Sequence, residues 1–255
     1  GSPILNLDLP QGVTPKQQRA RLDLLQKWNE RYFAENPAES DLAARIASYE
    51  LAYRMQMHAP DVVNLADESE ATRRAYGMED KDAKYFGRNC LLARRLVERG
   101  VRFVHVYSGG NEGPTAWDAH KDLKGNHDRQ CAQTDQPIAA LLNDLKQRGL
   151  LDTTLVVWGG EFGRMPTHQG SNGRDHNPYG FTCWLAGGGV RSGMTFGSTD
   201  EFGYAAVEDK VHVHDLHATI LHQLGMDHKR LTYRHLGRDF RLTDVAGNLV
   251  KPIIA

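Results

Sequence analysis

The first apolar positions, Ala20, Leu24, Leu25 and Trp28, recur at helical spacing. Thr14 in front of them can accept from a first-turn amide and Pro15 suits the first helical position, so a helix is predicted from Thr14 to near Asn36 and Pro37. Leu42, Ile46, Tyr49, Leu51, Tyr53 and Met57 predict a second helix, with Ser40 or Asp41 as cap and Pro60 as its stop. That stripe of Met and Tyr reads as packing rather than as a cofactor box. After a polar connector from Glu68 to Asp82, a third helix is predicted from Lys84 to Glu98, with Gly100 placed where a helix C-terminus favours positive φ.

The period then changes. Val101–Tyr107 (VRFVHVY) and Thr153–Trp158 (TTLVVW) are β-rich runs of strand length. Between them Ile138, Leu141, Leu142 and Leu145 mark one face of a helix, capped by Thr134 or Asp135, with Pro137 in its first turn and Gly149 past its end. A strand, helix, strand unit of this kind closes as a right-handed crossover between parallel strands, so both strands are expected to end on one sheet edge, where ligands bind. Phe181–Ala186 is a further strand candidate. A short one near Val211–Val213 is expected to lead into a helix capped by Asp215 and ended by Gly225. The expected organisation is a helical segment over 1–83 and an α/β core over 84–255.

Composition narrows the function classes. The chain has 255 residues, 31 Lys and Arg against 32 Asp and Glu, and a formal net charge of −1 without a long basic block, so a nucleic-acid partner is not expected. No apolar run is long enough for a spanning helix. The three cysteines, Cys90, Cys131 and Cys183, form no CxxC pair and are expected to be free. Of the 12 histidines only His58 precedes residue 101, which places any chemistry in the C-terminal part.

Two long connections carry that chemistry. Ser108–Gln133, at roughly 26 residues, is far above ordinary loop length. It holds Asp118 and His120, which in an extended stretch point to one side, as two ligands of one cation require. Such an O/N pair suits zinc, manganese or iron better than an all-oxygen calcium cage. Read alone, Asp-x-His is also an ordinary polar turn. The second connection, Gly159–Gly180, holds Glu161 just past a strand end, His176 beside Asp175, and Arg164 and Arg174, whose guanidinium groups suit a tetrahedral oxyanion. If both connections leave parallel strands of one crossover, Asp118, His120, Glu161 and His176 meet at one sheet edge as metal ligands, with Arg164 and Arg174 as the catalytic, oxyanion-holding pair.

Other signals are weaker. His214, Asp215 and His217 resemble a ligand cluster but fit a helix cap with exposed neighbours. Gly187–Gly193 fails the GxGxxG spacing and opens no helix. Ser108 lacks a GxSxG elbow and Cys183 sits in an apolar run, so no nucleophile stands out.

Ala44–Ala52, Leu92–Gly100, Trp117–His120, Gly159–Arg164, Gly173–His176 and His214–Leu221 resemble the sulfatase-like proteins of domain of unknown function family 1501, a branch of the alkaline phosphatase superfamily. The resemblance implies an alkaline-phosphatase-like three-layer α/β/α sandwich with a mostly parallel sheet. It further implies one or two divalent metals, with zinc, manganese or calcium as the ions to consider, and hydrolysis of phosphate or sulfate esters. Asp118 and His120 resemble the first ligand group of that superfamily, Glu161 stands in the place of the second, and His176 resembles the late histidine. The N-terminal strand that carries the superfamily's Ser, Thr or modified Cys has no counterpart, and none of the cysteines opens a C-x-P-x-R signature, so the chain resembles a C-terminal portion. The partner expected is an anionic ester or a sulfated or phosphorylated glycan. The alternative is a non-catalytic binding module of the same fold for an anionic glycan or a protein. Export to the periplasm is implied by the resemblance alone.

Overall fold

The computed structural model describes residues 9–36, 40–109 and 116–255, with the side chains of residues 40–42 and 58 outside the description. The expected cap at Ser40 or Asp41 therefore lies outside the described side chains. The chain divides into two compact units, Gly1–Ser69 and Glu70–Ala255.

The first unit holds α1 (Pro15–Glu35) and α2 (Ser40–Val63). Thr14 caps α1: its Oγ1 accepts from the Gln17 amide while the Gln17 side chain accepts from the Thr14 amide, a reciprocal capping box. Arg19 ties the two helices by a bidentate pair to Glu50, at 2.7 and 3.1 Å. Pro60 does not stop α2 as expected. It falls in the last turn, where its missing N–H removes a single ladder bond, and the helix continues to Val63. The expected packing stripe is also corrected, because Tyr49, Leu51 and Met57 are exposed.

The second unit opens with α3 (Glu70–Ala75), α4 (Lys84–Glu98) and α5 (Leu123–Gln147). Here α4 packs on α5, burying Cys90, Leu91 and Ala93 with Leu145 and Gln130. Arg94 is 2% exposed within that contact, and it pairs with Glu98 at 2.6 Å and Asp144 at 3.0 Å. Tyr76 Oη donates to Asp144 as well, and burial followed by that carboxylate pushes its phenol up. Such a buried network is held together because each charge meets a partner. The start of α5 at Leu123, capped by Asp122, corrects the expected cap at Thr134 or Asp135. Thr134 lies inside the helix, donating to the Gln130 carbonyl, and the helix carries through Pro137.

The remaining chain forms four two-stranded antiparallel sheets among the described residues: β1 (Leu155–Trp158) with β4 (Trp184–Gly187), β2 (Gly163–Gln169) with β3 (Gly173–Asn177), β5 (Ser198–Thr199) with β6 (Ala206–Glu208), and β7 (Tyr233–His235) with β8 (Arg238–Phe240). The expectation of a three-layer α/β/α sandwich on a mostly parallel sheet is thereby overturned. The expected crossover does not form, since Val101–Tyr107 is not a strand: it runs beside α4 without pairing to β1, and β1 pairs antiparallel with β4 instead. β-propensity describes a residue's fit to a pleated surface and does not by itself supply a neighbouring strand.

The register of β1 and β4 sets Trp158 across from Trp184, their rings stacked at 6.1 Å, and Leu155 across from Gly187. Gly187 has φ +78° and its missing Cβ leaves room for the carbonyls of Leu151 and Thr154. The short strand expected at Val211–Val213 is a helix start: α6 (Val213–Gln223) is capped by His212, whose Nδ1 accepts from the His214 amide. Asp215, expected as the cap, is the third residue of that box and accepts from the His212 amide at 3.0 Å.

Candidate metal centre

The second long connection is not an irregular loop. Gly170, Ser171 and Asn172 join β2 to β3 as a hairpin, with Gly170 and Asn172 at φ of +54° and +60°. Arg164 lies opposite His176 and Gln169 opposite Gly173, with a register shift between Arg164 and His168. A bulge of this kind bends one strand and re-aims its side chains.

The segment carrying Asp118 and His120 is laid against this hairpin. The Arg174 amide donates to the Ala119 carbonyl at 2.9 Å, while the Asp122 and Leu123 amides donate to Ser171 and Asn172. Gly173 makes the approach possible, because a Cβ there would collide with the His120 carbonyl. Ala116 and Ala119 are buried as the segment docks.

Three donor atoms converge as a result. His120 Nε2 and His176 Nε2 each lie 3.0 Å from Asp118 Oδ1 and 3.2 Å from one another. Tetrahedral zinc with nitrogen and oxygen ligands at about 2.0–2.1 Å needs donor atoms about 3.3 Å apart. The observed triangle is close to one face of such a tetrahedron, and the residues fit a divalent cation with one side open. Each side chain is between one third and one half exposed, so the cluster opens to solvent. The Phe162 ring lies 4.3 Å from that of His176, in a tilted contact.

Asp118 has further partners. Arg164 Nη2 donates to Asp118 Oδ1 at 2.8 Å and to the Trp117 carbonyl at 3.2 Å, and Nη1 reaches the Arg174 carbonyl. The hydrogen bond from His176, then that from Arg164, hold the Asp118 carboxyl down to about 2, well below the usual carboxylate range. Arg164 thus anchors a ligand of the cluster and braces two backbone carbonyls. Arg174 donates its side chain to the Gly173 carbonyl at 2.8 Å. Glu161 is exposed, and among the described residues it does not belong to the group of converging donors, which is Asp118, His120 and His176.

One polar partner escaped the sequence reading. Gln169 Oε1 lies 2.6 Å from His120 Nδ1, with Asp175 Oδ1 farther off at 3.9 Å. The signal for it was the Gly-Ser-Asn-Gly run at 170–173, a hairpin turn that sets residue 169 beside the Gly173 contact.

A separate groove lies elsewhere in the second unit. Tyr85, Asn89, Leu92, Val104, Val106 and Tyr107 are among the residues lining an open groove of about 560 Å³ between α4 and the extended segment after it.

The family described as Protein of unknown function (DUF1501) matches residues 1–254. The chain belongs to that family. This corrects the resemblance drawn from sequence in two respects: nothing found links the chain to sulfatases, and a match running from residue 1 to residue 254 does not single out a C-terminal portion. No curated protein and no solved structure matches the chain. No described helix is long and apolar enough to cross a membrane.

Proposed function

We propose that Asp118, His120 and His176 bind a divalent cation and that the protein uses it to hydrolyse a phosphate or sulfate ester. The observation that supports this reading is the convergence of the three donor atoms, at 3.0 to 3.2 Å, from two separate segments. Held by these three side chains, a divalent cation would supply Lewis-acid chemistry, activating water and offsetting negative charge that develops on an ester oxygen. Among the chain's own groups, Asp118 supplies the negative charge, Arg164 holds its orientation, and the histidines complete the donor set. Because Arg164 sits 2.8 Å from the same oxygen, the site carries one guanidinium against one carboxylate. Weak cation affinity and slow turnover follow.

That commitment of Arg164 favours a second reading as well. With its guanidinium turned to Asp118, Arg164 does not serve as a substrate clamp, which suits a cation-bridged binding module for an anionic glycan or protein partner.

The test is a titration with zinc, manganese and calcium, followed by assays on aryl phosphate and aryl sulfate. Asp118→Ala and His176→Ala are expected to lose cation binding, whereas Glu161→Ala is expected to keep it. Cation-dependent turnover abolished by the first two substitutions supports the hydrolase. Binding without turnover supports the module, and no binding by the folded protein overturns both.

A further inference from the structure

We propose that Gln169 is a positioning residue that fixes the tautomer of His120, keeping the proton on Nδ1 so that the Nε2 lone pair faces the cation position. This inference rests on the proposed cation site, but its first test does not. A neutral imidazole carries one N–H, and whichever nitrogen faces an acceptor holds it. Gln169 Oε1 is a carbonyl-type acceptor 2.6 Å from Nδ1, and the Asp175 carboxylate on the same side, at 3.9 Å, adds negative potential there. The competing acceptor is Asp118 Oδ1, 3.0 Å from Nε2. That oxygen already receives Arg164 Nη2 at 2.8 Å and stands 3.0 Å from His176 Nε2, and a carboxylate oxygen offers about two lone-pair directions. Arg164 fills one of them and His176 Nε2 crowds the other, whereas Gln169 Oε1 makes the shorter contact at 2.6 Å, so the His120 proton is better placed on the Gln169 side.

The backbone explains why Gln169 is available for this. It is the last residue of β2, paired across the hairpin with Gly173, and Gly173 is where the chain at His120 makes its closest approach. The contact that seats His120 therefore also seats its Nδ1 partner. Histidines that ligate metals usually donate their other ring N–H to a fixed acceptor, and losing that acceptor costs about 10- to 100-fold in metal affinity.

Two measurements on the whole chain decide the matter. Long-range proton–nitrogen spectra of the metal-free, nitrogen-labelled protein, recorded above about pH 8 where an ordinary histidine is neutral, are expected to show His120 as the Nδ1–H tautomer. Gln169→Leu is expected to shift it toward Nε2–H. Zinc affinity is expected to fall about 10- to 100-fold in Gln169→Leu and to return in Gln169→Glu, which keeps an acceptor at the same reach. A change in packing alone would not move a tautomer, and thermal unfolding of both variants shows whether they fold. An Nε2–H tautomer in the unsubstituted protein, or a tautomer unchanged by Gln169→Leu in a folded variant, overturns the proposal. Should the tautomer move as expected while zinc binds to none of the proteins, the cation site fails and the role of Gln169 in fixing the tautomer stands.

Discussion

Val101–Tyr107 and Leu155–Trp158 are written in nearly the same alphabet of β-branched and aromatic residues, yet they meet different ends. The later stretch pairs with Trp184–Gly187 through four residue pairs and a stacked tryptophan contact. The earlier one is extended beside α4 with Phe103 and Tyr107 at 58% and 75% exposure, and its Phe103, His105 and Tyr107 rings contact one another in sequence along one side. Strand-forming residues make the extended conformation cheap. A ladder needs in addition a second backbone able to come close, which is what Gly187 allows at β1.

The strongest way to break the paired stretch is Gly187→Val. It forces a branched side chain onto φ +78° and into the Leu151 and Thr154 carbonyls, and a loss of about 3 kcal/mol in denaturant unfolding is expected. Stability within about 0.5 kcal/mol of the unsubstituted protein would show that the β1–β4 contact is not what holds this region. Gly173→Ala applies the same logic to the other close approach, between the hairpin and the chain at His120. About 2 kcal/mol of destabilisation is expected, together with a larger loss of zinc affinity than any change at exposed Glu161.

Hydrogen exchange sharpens the comparison without a mutation. Those amides of Leu155–Trp158 that donate across to β4, at alternate positions of a two-stranded ladder, should exchange more slowly than the amides of Phe103–Tyr107, which lie in no ladder. Equal rates would mean that the extended segment has a partner in solution. Acid titration probes the hairpin contact more gently. The folded-state pKa of Asp118 is depressed, so its contribution is complete above about pH 4, the ordinary range of an aspartate, and is lost as pH falls toward about 2. Asp118→Asn should remove that part of the acid dependence. The effect is small, since a third of the side chain meets solvent. Smallest of all is Phe103→Ser in the unpaired stretch, for which a change within about 0.5 kcal/mol is expected. A loss of several times that would reveal packing on Phe103.

The donor cluster was legible in part. Asp118, His120 and His176 stood out as residue types able to share a cation, but the reason given for their meeting, two parallel strands ending on one edge, was not the reason they meet. They converge because a hairpin and an extended segment pair through Arg174 and Ala119 around Gly173. Arg164 was legible as a cation near the site, whereas its attachment to Asp118 was not, since an arginine's partner is chosen by distance alone once the chain has folded.

By itself the sequence determined the features whose causes lie within a few residues. The Thr14 capping box, the span of α4 from Lys84 to Glu98 and the positive φ of Gly100 and Gly149 are of this kind, and helix periodicity with capping chemistry suffices to specify them. Only the tertiary structure decided which extended segment gained a neighbour, that β1 would run antiparallel to β4, and that Gln169 would face His120. Those outcomes depend on competition among segments far apart in the chain, settled by which backbones can approach closely enough to exchange water for one another's hydrogen bonds.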